Sequence, residues 1–331
     1  MLNPHDWTTL QAHFETLETE PVDALNAAGW LQRWSDLERA LYEAFSRAYR
    51  AKQEDTTSQS AEDAYLNLVE NVVPHVKVAQ NRLEQKLAAL PESALPEDAL
   101  ELLKRTRASL EIFREANVAL ETELSKLGVE YDKIVGDFSI DLNGEELTLY
   151  GALAKLQEPD RDVRETVYRA LVNRWRQDRE KLEALFMQML RLRRQVAENA
   201  GFADYRAFIW KAKARFDYTP EDCLTLHDSI LEHIVPVLRS EMDTHRASLG
   251  LEALKPWDVD VDSANRVPLK PFSSIHELEA ICRDVFAKLD LTLARCSARS
   301  CRATWTSSRA RARDPAGTAI FTRRAARPTS S

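Results

Sequence analysis

The sequence predicts an all-α protein, an elongated helical lobe with one small β-hairpin. Glycine supplies only 8 of the 331 residues, while apolar residues make up 44%. That composition, rich in Leu, Ala, Glu and Arg, favours helices over sheets. Apolar residues also recur at three- and four-residue spacing along most of the chain. The one departure is a stretch of strict alternation at residues 137–149.

The first 135 residues predict an N-terminal helical domain. Asn3 as cap and Pro4 at the first helical position predict a helix that runs to about Thr19. A longer helix is predicted after Pro21. Its apolar stripe consists of Trp30, Trp34, Leu37, Leu41, Phe45 and Tyr49.

A polar loop at residues 53–60 precedes the next predicted helix. Ser60 begins a capping pattern, and this helix reaches about Leu90 with a kink at Pro74. After a proline-flanked turn at 91–96, the last helix of the domain is predicted from Glu97 to Lys126. Gly128 is expected to end it.

A second domain is predicted at residues 136–290, and it opens with the hairpin. Phe138, Ile140 and Leu142 alternate with polar residues, and Asn143-Gly144 is the strongest short hairpin signal. Because a lone hairpin is marginal in water, we expect it to pack against helices.

A single helix of about forty residues is predicted from Asp160 to Ala200, with Gly201 as its stop. Its stripe consists of Val167, Leu171, Trp175, Leu182, Leu185, Met189, Leu192 and Val196. Thr219-Pro220 begins the next helix. The proline-rich residues 251–272 predict an extended connection, and Ser274 caps a helix to about Leu289.

The charge of the chain changes sign near residue 290. Residues 1–290 carry a net charge of −16, whereas residues 291–331 carry +8 from nine Arg, no Lys and one Asp. The acidic body argues against a nucleic-acid partner. The Arg/Ala-rich tail, 291–331, is expected to be disordered and has two interpretations. It is either a basic arm or the product of a frameshift or truncation at about residue 290, and we favour the second.

No apolar run is long enough for a membrane span, and the first twenty residues show no secretory pattern. The four cysteines have no close spacing, which argues against a disulfide framework or zinc knuckle. We therefore expect a cytoplasmic protein without a membrane partner.

Two groups of segments carry a family resemblance. The first is RLRRQVAENAGFADY at 191–205 with FDYTPED at 216–222. The second is VPVL at 235–238, LGL at 249–251 and LKPWD at 254–258. In this order they resemble the oligoendopeptidase F / thimet-type zinc metallopeptidases, over about residues 1–290.

The resemblance implies a mostly helical fold with a deep channel, of which this chain is the N-terminal part and therefore incomplete. Complete family members use one zinc ion to hydrolyse short peptides. Their zinc lies on a His-Glu-x-x-His helix, where two His at i and i+4 share one face and the Glu activates the metal-bound water.

These 331 residues do not contain that motif. The seven histidines are His5, His13, His75, His227, His233, His245 and His276, and no two are four apart. His276-Glu277 begins like the motif, but Ala280 stands at the second His position. We interpret His276 as a first-turn residue of a capped helix.

Other candidates are also assigned structural roles. His227-Asp228 could form a pair near a metal, but a helix-face residue packed near the channel is the favoured interpretation. Cys223 and Cys282 are interpreted as small core residues. The alternating Asp258, Asp260 and Asp262 lack the Gly and Glu of a calcium loop, so they are assigned to a connection between helices. The prediction is therefore no catalytic, cofactor-binding or metal-binding residue in this chain, and no cofactor.

The resulting functional hypothesis is a fragment of a zinc oligoendopeptidase that is inactive alone. Without covering helices, its apolar faces would promote self-association. The alternative is a non-enzymatic helical binding or scaffold protein with a basic C-terminal arm. A separately encoded C-terminal half is a third possibility.

Overall fold

The computed structural model describes residues 3–266, 269, 271–290, 292–293 and 295. Within them, helices and one two-stranded sheet confirm the all-α class with a hairpin. The chain forms two compact units. Of the described residues, the first unit comprises those up to 138 and 173–238, and the second comprises 139–172 with those from 239 onward. The prediction for the tail falls almost wholly outside the described residues, and the predicted domain boundaries stay predictions.

The described elements follow in chain order. The helices and strands are α1 (Trp7–Thr19), α2 (Ala27–Glu54), α3 (Gln59–Asn67), α4 (Val73–Ala89), α5 (Leu100–Ile112), α6 (Glu115–Gly136), β1 (Ser139–Leu142), β2 (Glu145–Thr148), α7 (Leu149–Lys155), α8 (Arg161–Gln177), α9 (Arg179–Asn199), α10 (Tyr205–Ala212), α11 (Pro220–Ser229), α12 (Val235–Ser248) and α13 (Ile275–Leu289). Short π-helical segments cover 68–72 and 230–234, and 3₁₀ turns cover 92–94, 97–99 and 256–258.

The main core of the first unit lies among its N-terminal helices. Trp30 and Phe14 are its largest fully buried side chains. The Trp30 indole Nε1 donates a hydrogen bond of 2.8 Å to the carbonyl oxygen of Leu17, so the ring is both packed and polar-satisfied. The predicted stripe of α2 is confirmed at Trp30, Trp34 and Leu37, which are buried.

Several helix boundaries differ from the predictions by a few residues. The cap of α1 is Asp6 rather than Asn3, because the Asp6 carboxylate accepts the Thr8 backbone N–H at 3.0 Å. Ser58, not Ser60, caps α3. Where the kink at Pro74 was predicted, a π-helical segment covers 68–72, and Pro74 occupies the first turn of α4.

The prediction of one helix from Glu97 to Lys126 is wrong. The backbone is extended at Phe113 and Arg114, which separates α5 from α6. The Arg114 guanidinium donates to the carbonyl oxygens of Phe113 and Ala200, so a contact distant in sequence holds the break. Gly128 lies inside α6 rather than at a helix end.

The forty-residue helix is also wrong, because α8 and α9 are separate helices. Asp178 interrupts them with a non-helical backbone. Its buried carboxylate accepts hydrogen bonds from Arg174 and, at 3.2 Å, from Lys181. The predicted stop is confirmed: Gly201 has φ +83°, the left-handed conformation typical of a helix C-terminus.

The second unit begins with the predicted hairpin. Ile140 pairs with Leu147, and Asn143 and Gly144 both have positive φ, as a two-residue hairpin turn requires. Buried Ile140 packs with Val167 and Leu171 of α8, which confirms that the hairpin is supported by helices.

Candidate functional site

The histidine candidates lie on exposed helix surfaces. His227 is exposed on α11, and His233 is exposed in the following π-helical segment. The prediction of a packed position for His227 is therefore wrong. His276 occupies the exposed first turn of α13, as predicted, with its Nδ1 3.8 Å from a Glu279 carboxylate oxygen.

The two cysteines that the structure describes do not fit the predicted core role. Cys223 and Cys282 are free thiols at half-buried positions. Each lies on a helix, α11 or α13, that has no fully buried residue, so neither cysteine faces a closed core.

The donor set does not fit a zinc ion. Among the described residues, no group of three His, Cys, Asp or Glu side chains comes close enough together to hold a metal. No step of a metal-assisted reaction can be assigned to these side chains.

Asp258 of the second unit is a fully buried carboxylate. It has no exposed surface, and its Oδ1 accepts hydrogen bonds from Arg161 Nε at 2.9 Å and Arg164 Nη2 at 3.1 Å. Its Oδ2 accepts from Arg161 Nη2 and from the Lys255 backbone N–H, both at 2.9 Å. Four donors therefore satisfy this carboxylate.

The Arg161 guanidinium is the largest cause that holds the pKa of Asp258 down, at about 2, with the Lys255 backbone N–H and Arg164 adding to it against the effect of burial. Asp258 is consequently ionised and saturated with donors. It has neither a proton nor a free lone pair to offer a substrate, which makes it a structural residue rather than a general acid or base.

Further contacts of this cluster hold the LKPWD segment against the start of α8. Arg164 Nε donates to the Trp257 carbonyl oxygen at 2.8 Å, and His245 Nε2 lies 2.8 Å from the Asp258 carbonyl oxygen. The Trp257 ring packs against Tyr168, and the Arg169 guanidinium lies 5.2 Å from its centroid. The assignment of Asp258 to a connection between helices is confirmed, with a role more specific than the sequence suggested.

The other two alternating carboxylates are independent of this cluster. Asp260 is exposed. The Asp262 carboxylate accepts hydrogen bonds from Nε and Nη2 of Arg266, at 2.9 and 3.0 Å. These bonds are the largest cause that lowers the pKa of Asp262. The three aspartates therefore do not converge on one cation.

A cavity of about 560 Å³ in the first unit is the best candidate for a binding site. Helices α2, α3, α6 and α9 line it, and its volume is in the range of small-molecule sites. The lining residues are Tyr49, Lys52, Tyr65, Ser125, Gly128, Val129, Tyr131, Asp132, Leu182, Leu185, Phe186, Met189 and Arg193. The lining is therefore mostly aromatic and apolar, with three charged side chains.

Lys52 is the buried charge of this cavity. Its side chain is 5% exposed, and its Nζ lies 2.7 Å from Asp132 Oδ2. The same Nζ lies 5.2 and 5.0 Å from the ring centroids of Tyr49 and Tyr65. Burial, Tyr49 and Asp132 all raise the pKa of Tyr65, which keeps that phenol neutral. Lys52 is thus neutralised in place by one carboxylate and two aromatic faces.

Of the two cations that line the cavity, Arg193 is the one without a carboxylate partner among the described residues. It is half-buried, and its guanidinium carbon lies 5.9 Å from the Tyr205 ring centroid. Among the ion pairs of the described residues, none involves Arg193. Sequence reasoning missed this cavity. The one local signal for it was Gly128, which the sequence predicted as a helix end but which lies inside α6.

Residues 154–289 match the model of peptidase family M3. This segment is therefore similar to the peptidases of family M3. It contains the Arg161–Arg164–Asp258 cluster and all five segments that suggested the resemblance. The cavity lies largely outside it, since only the lining residues of α9 fall within the M3 segment.

Solved structures share the fold. The chain is 17% identical to a protein from Bacillus anthracis str. Ames assigned to oligoendopeptidase F (TM-score 0.79) and covers 54% of it. It is 21% identical to PZ peptidase A with inhibitor 2 (TM-score 0.82) and covers 52% of it. It is 13% identical to oligoendopeptidase-F from Enterococcus faecium (TM-score 0.63) and covers 67% of it. These matches cover 88%, 88% and 93% of this chain, in that order.

The chain thus spans about half the length of the first two structures. No curated protein matches it. None of the helices in the described part of the chain has the length and apolar character needed to cross a membrane.

Proposed function

We propose that this chain is the N-terminal helical part of a zinc-dependent oligoendopeptidase that hydrolyses short peptides, and that it is inactive alone. The M3 match over residues 154–289 carries the proposal. The structural neighbours support it, because they are named as peptidases and share the fold over most of this chain. A cytoplasmic location is part of the proposal, in keeping with the free thiols of Cys223 and Cys282.

In this proposal the zinc ligands belong to a part of the peptidase that these 331 residues do not include. A bound zinc ion would supply a polarising charge and an activated water for peptide hydrolysis. The residues of this chain instead bind peptide and support the second half of the enzyme.

The face that would receive the second half is the apolar side of α11 and α12. Leu231, Ile234 and Leu238 are 62%, 59% and 55% exposed, and Leu224 extends the same stripe. Helices α11 and α12 and the π-helical segment between them contain no buried residue. A helix with an apolar stripe needs a partner for it, and its proposed partner is the C-terminal half of an M3 peptidase.

Length supports that choice of occupant. Because the chain covers 52–54% of two structural neighbours, those proteins contain nearly as many further residues. We propose that without this covering half the face causes self-association.

The change of composition near residue 290 belongs to the same proposal. The M3 match ends at residue 289, immediately before the nine-Arg segment. A frameshift at this point predicts that the encoding DNA, read in another frame beyond codon 290, contains a His-Glu-x-x-His codon pattern. If none of the three reading frames beyond codon 290 encodes that pattern, the frameshift interpretation is wrong.

The direct experiment measures zinc content and hydrolysis of quenched fluorescent peptides by the purified chain. The proposal predicts neither stoichiometric zinc nor turnover. Adding a C-terminal M3 half that carries His-Glu-x-x-His should produce zinc-dependent turnover, which distinguishes a missing half from an unrelated helical protein.

A further inference from the structure

We infer that the cavity between α2, α3, α6 and α9 binds the C-terminal end of a short peptide whose last residue is large and apolar. The terminal carboxylate pairs with Arg193, and the side chain packs among the aromatic residues. The inference rests on the proposed function in taking a peptide as the source of the ligand. The chemistry that the cavity recognises, an apolar group beside a carboxylate, is derived from the lining alone.

The lining provides the apolar part of the site. Tyr49, Tyr131 and Phe186 are each more than two-fifths exposed although they line a cavity, so their rings are available to a ligand. Buried Leu185 and Val129 line it as well. Aromatic faces around an apolar floor are typical of pockets for large apolar side chains.

The charged side chains of the cavity favour an anionic ligand. Lys52 is balanced by Asp132 at 2.7 Å, and the Gln53 side-chain amide donates to the same carboxylate oxygen at 2.7 Å. This leaves the Arg193 guanidinium as the uncompensated charge of the lining. A guanidinium presents two parallel N–H groups that match a carboxylate, and its affinity for one is strengthened beside apolar surface.

The space for the ligand depends on Gly128. This glycine lies inside α6, where it costs the helix up to about 1 kcal/mol relative to alanine. A Cβ atom at this position would meet nothing within 4 Å. No close packing therefore requires a glycine here, and the missing side chain enlarges the cavity that Gly128 lines.

The first test uses the unmodified full chain and three probes: Gly-Gly-Phe with a free carboxylate, its C-terminal amide, and N-acetylphenylalanine. Binding is followed by isothermal titration calorimetry and by saturation-transfer NMR. We expect the free-acid peptide to bind at least about tenfold more tightly than its amide, because only the acid forms the charge-assisted pair with Arg193.

Three variants locate the site. Arg193→Gln should reduce the acid-to-amide ratio to near one. Arg191→Gln, the matched control, removes an exposed charge of the same helix that does not line the cavity and should leave the ratio unchanged. Gly128→Leu should abolish binding of both peptides by filling the cavity, and circular dichroism shows whether it remains folded.

Three outcomes would overturn the inference. These are equal binding of acid and amide to the unmodified chain, equal effects of Arg193→Gln and Arg191→Gln, and binding of N-acetylphenylalanine without the tripeptide. The last would show that the site takes a single aromatic acid instead of a peptide end. None of these measurements depends on zinc or turnover, so the proposed peptidase function fails or stands separately.

Discussion

The Oδ1 atom of Asp258 lies 3.1 Å from Nη2 of Arg164, and neither side chain is more than 3% exposed. These residues are 94 positions apart and hold the LKPWD segment against the start of α8. Removal of one partner from a buried ion pair leaves the other charge uncompensated, which makes the pair a sensitive point of the fold.

Asp258→Asn should lower the free energy of unfolding by about 3–5 kcal/mol, because Arg164 would lose its buried counter-charge. Asp260→Asn is the matched control, since Asp260 is an exposed carboxylate two residues away. Urea denaturation followed by circular dichroism measures both. Similar losses for the two variants would show that the buried cluster has no special role.

The same cluster predicts a pH dependence. The pKa of Asp258 is depressed from 3.8 to about 2, so the stability that it contributes is present above pH 4 and is lost as the pH falls toward 2. This pKa shift contributes at most about 2 kcal/mol to the free energy of unfolding, because Arg161 is partly exposed and solvent screens its charge. The stability gap between the unmodified chain and Asp258→Asn should narrow over this interval. A gap that stays constant from pH 5 to pH 2 would contradict the assignment.

Gly201→Ala should destabilise the chain by about 1–2 kcal/mol, because φ is +83° and the cost arises in the backbone. No atom lies within 4 Å of the added Cβ, so a steric clash does not contribute. The contrasting change is Gly128→Ala, which should stabilise α6 by up to about 1 kcal/mol. Denaturation midpoints that move in the same direction for both variants would disprove this account of Gly201.

Self-association should depend on the apolar side of α11 and α12. Leu231→Glu combined with Leu238→Glu should shift the chain toward monomer in analytical ultracentrifugation, because charges would replace exposed apolar side chains. Thr225→Glu adds a charge to the opposite side of α11 and should leave the distribution unchanged. If the unmodified chain is monomeric, the prediction of self-association is wrong.

Local signals in the sequence predicted the elements that depend on local chemistry. Asn143-Gly144 gave the hairpin turn, Gly201 the helix stop, and Thr219 the cap of α11, where its hydroxyl accepts the Asp222 backbone N–H at 3.1 Å. Each of these depends on backbone conformation or on hydrogen bonds within a few residues.

The helix breaks at Arg114 and Asp178 were not predictable in this way. Arg114 contacts the Ala200 carbonyl oxygen 86 residues away, and nothing in the local sequence marks either break with Gly or Pro. The cavity was missed for the same reason, because Lys52 and Asp132 are 80 residues apart. Tertiary contacts of this kind are not encoded in periodicity.

The most direct measurement of the central claim combines zinc analysis with a quenched-peptide assay, first on the purified chain and then after addition of a C-terminal M3 half that carries His-Glu-x-x-His. We expect no stoichiometric zinc and no turnover for the chain alone, and chelator-sensitive turnover for the reconstituted pair. Stoichiometric zinc with peptide hydrolysis by the chain alone would show that the proposed function is wrong.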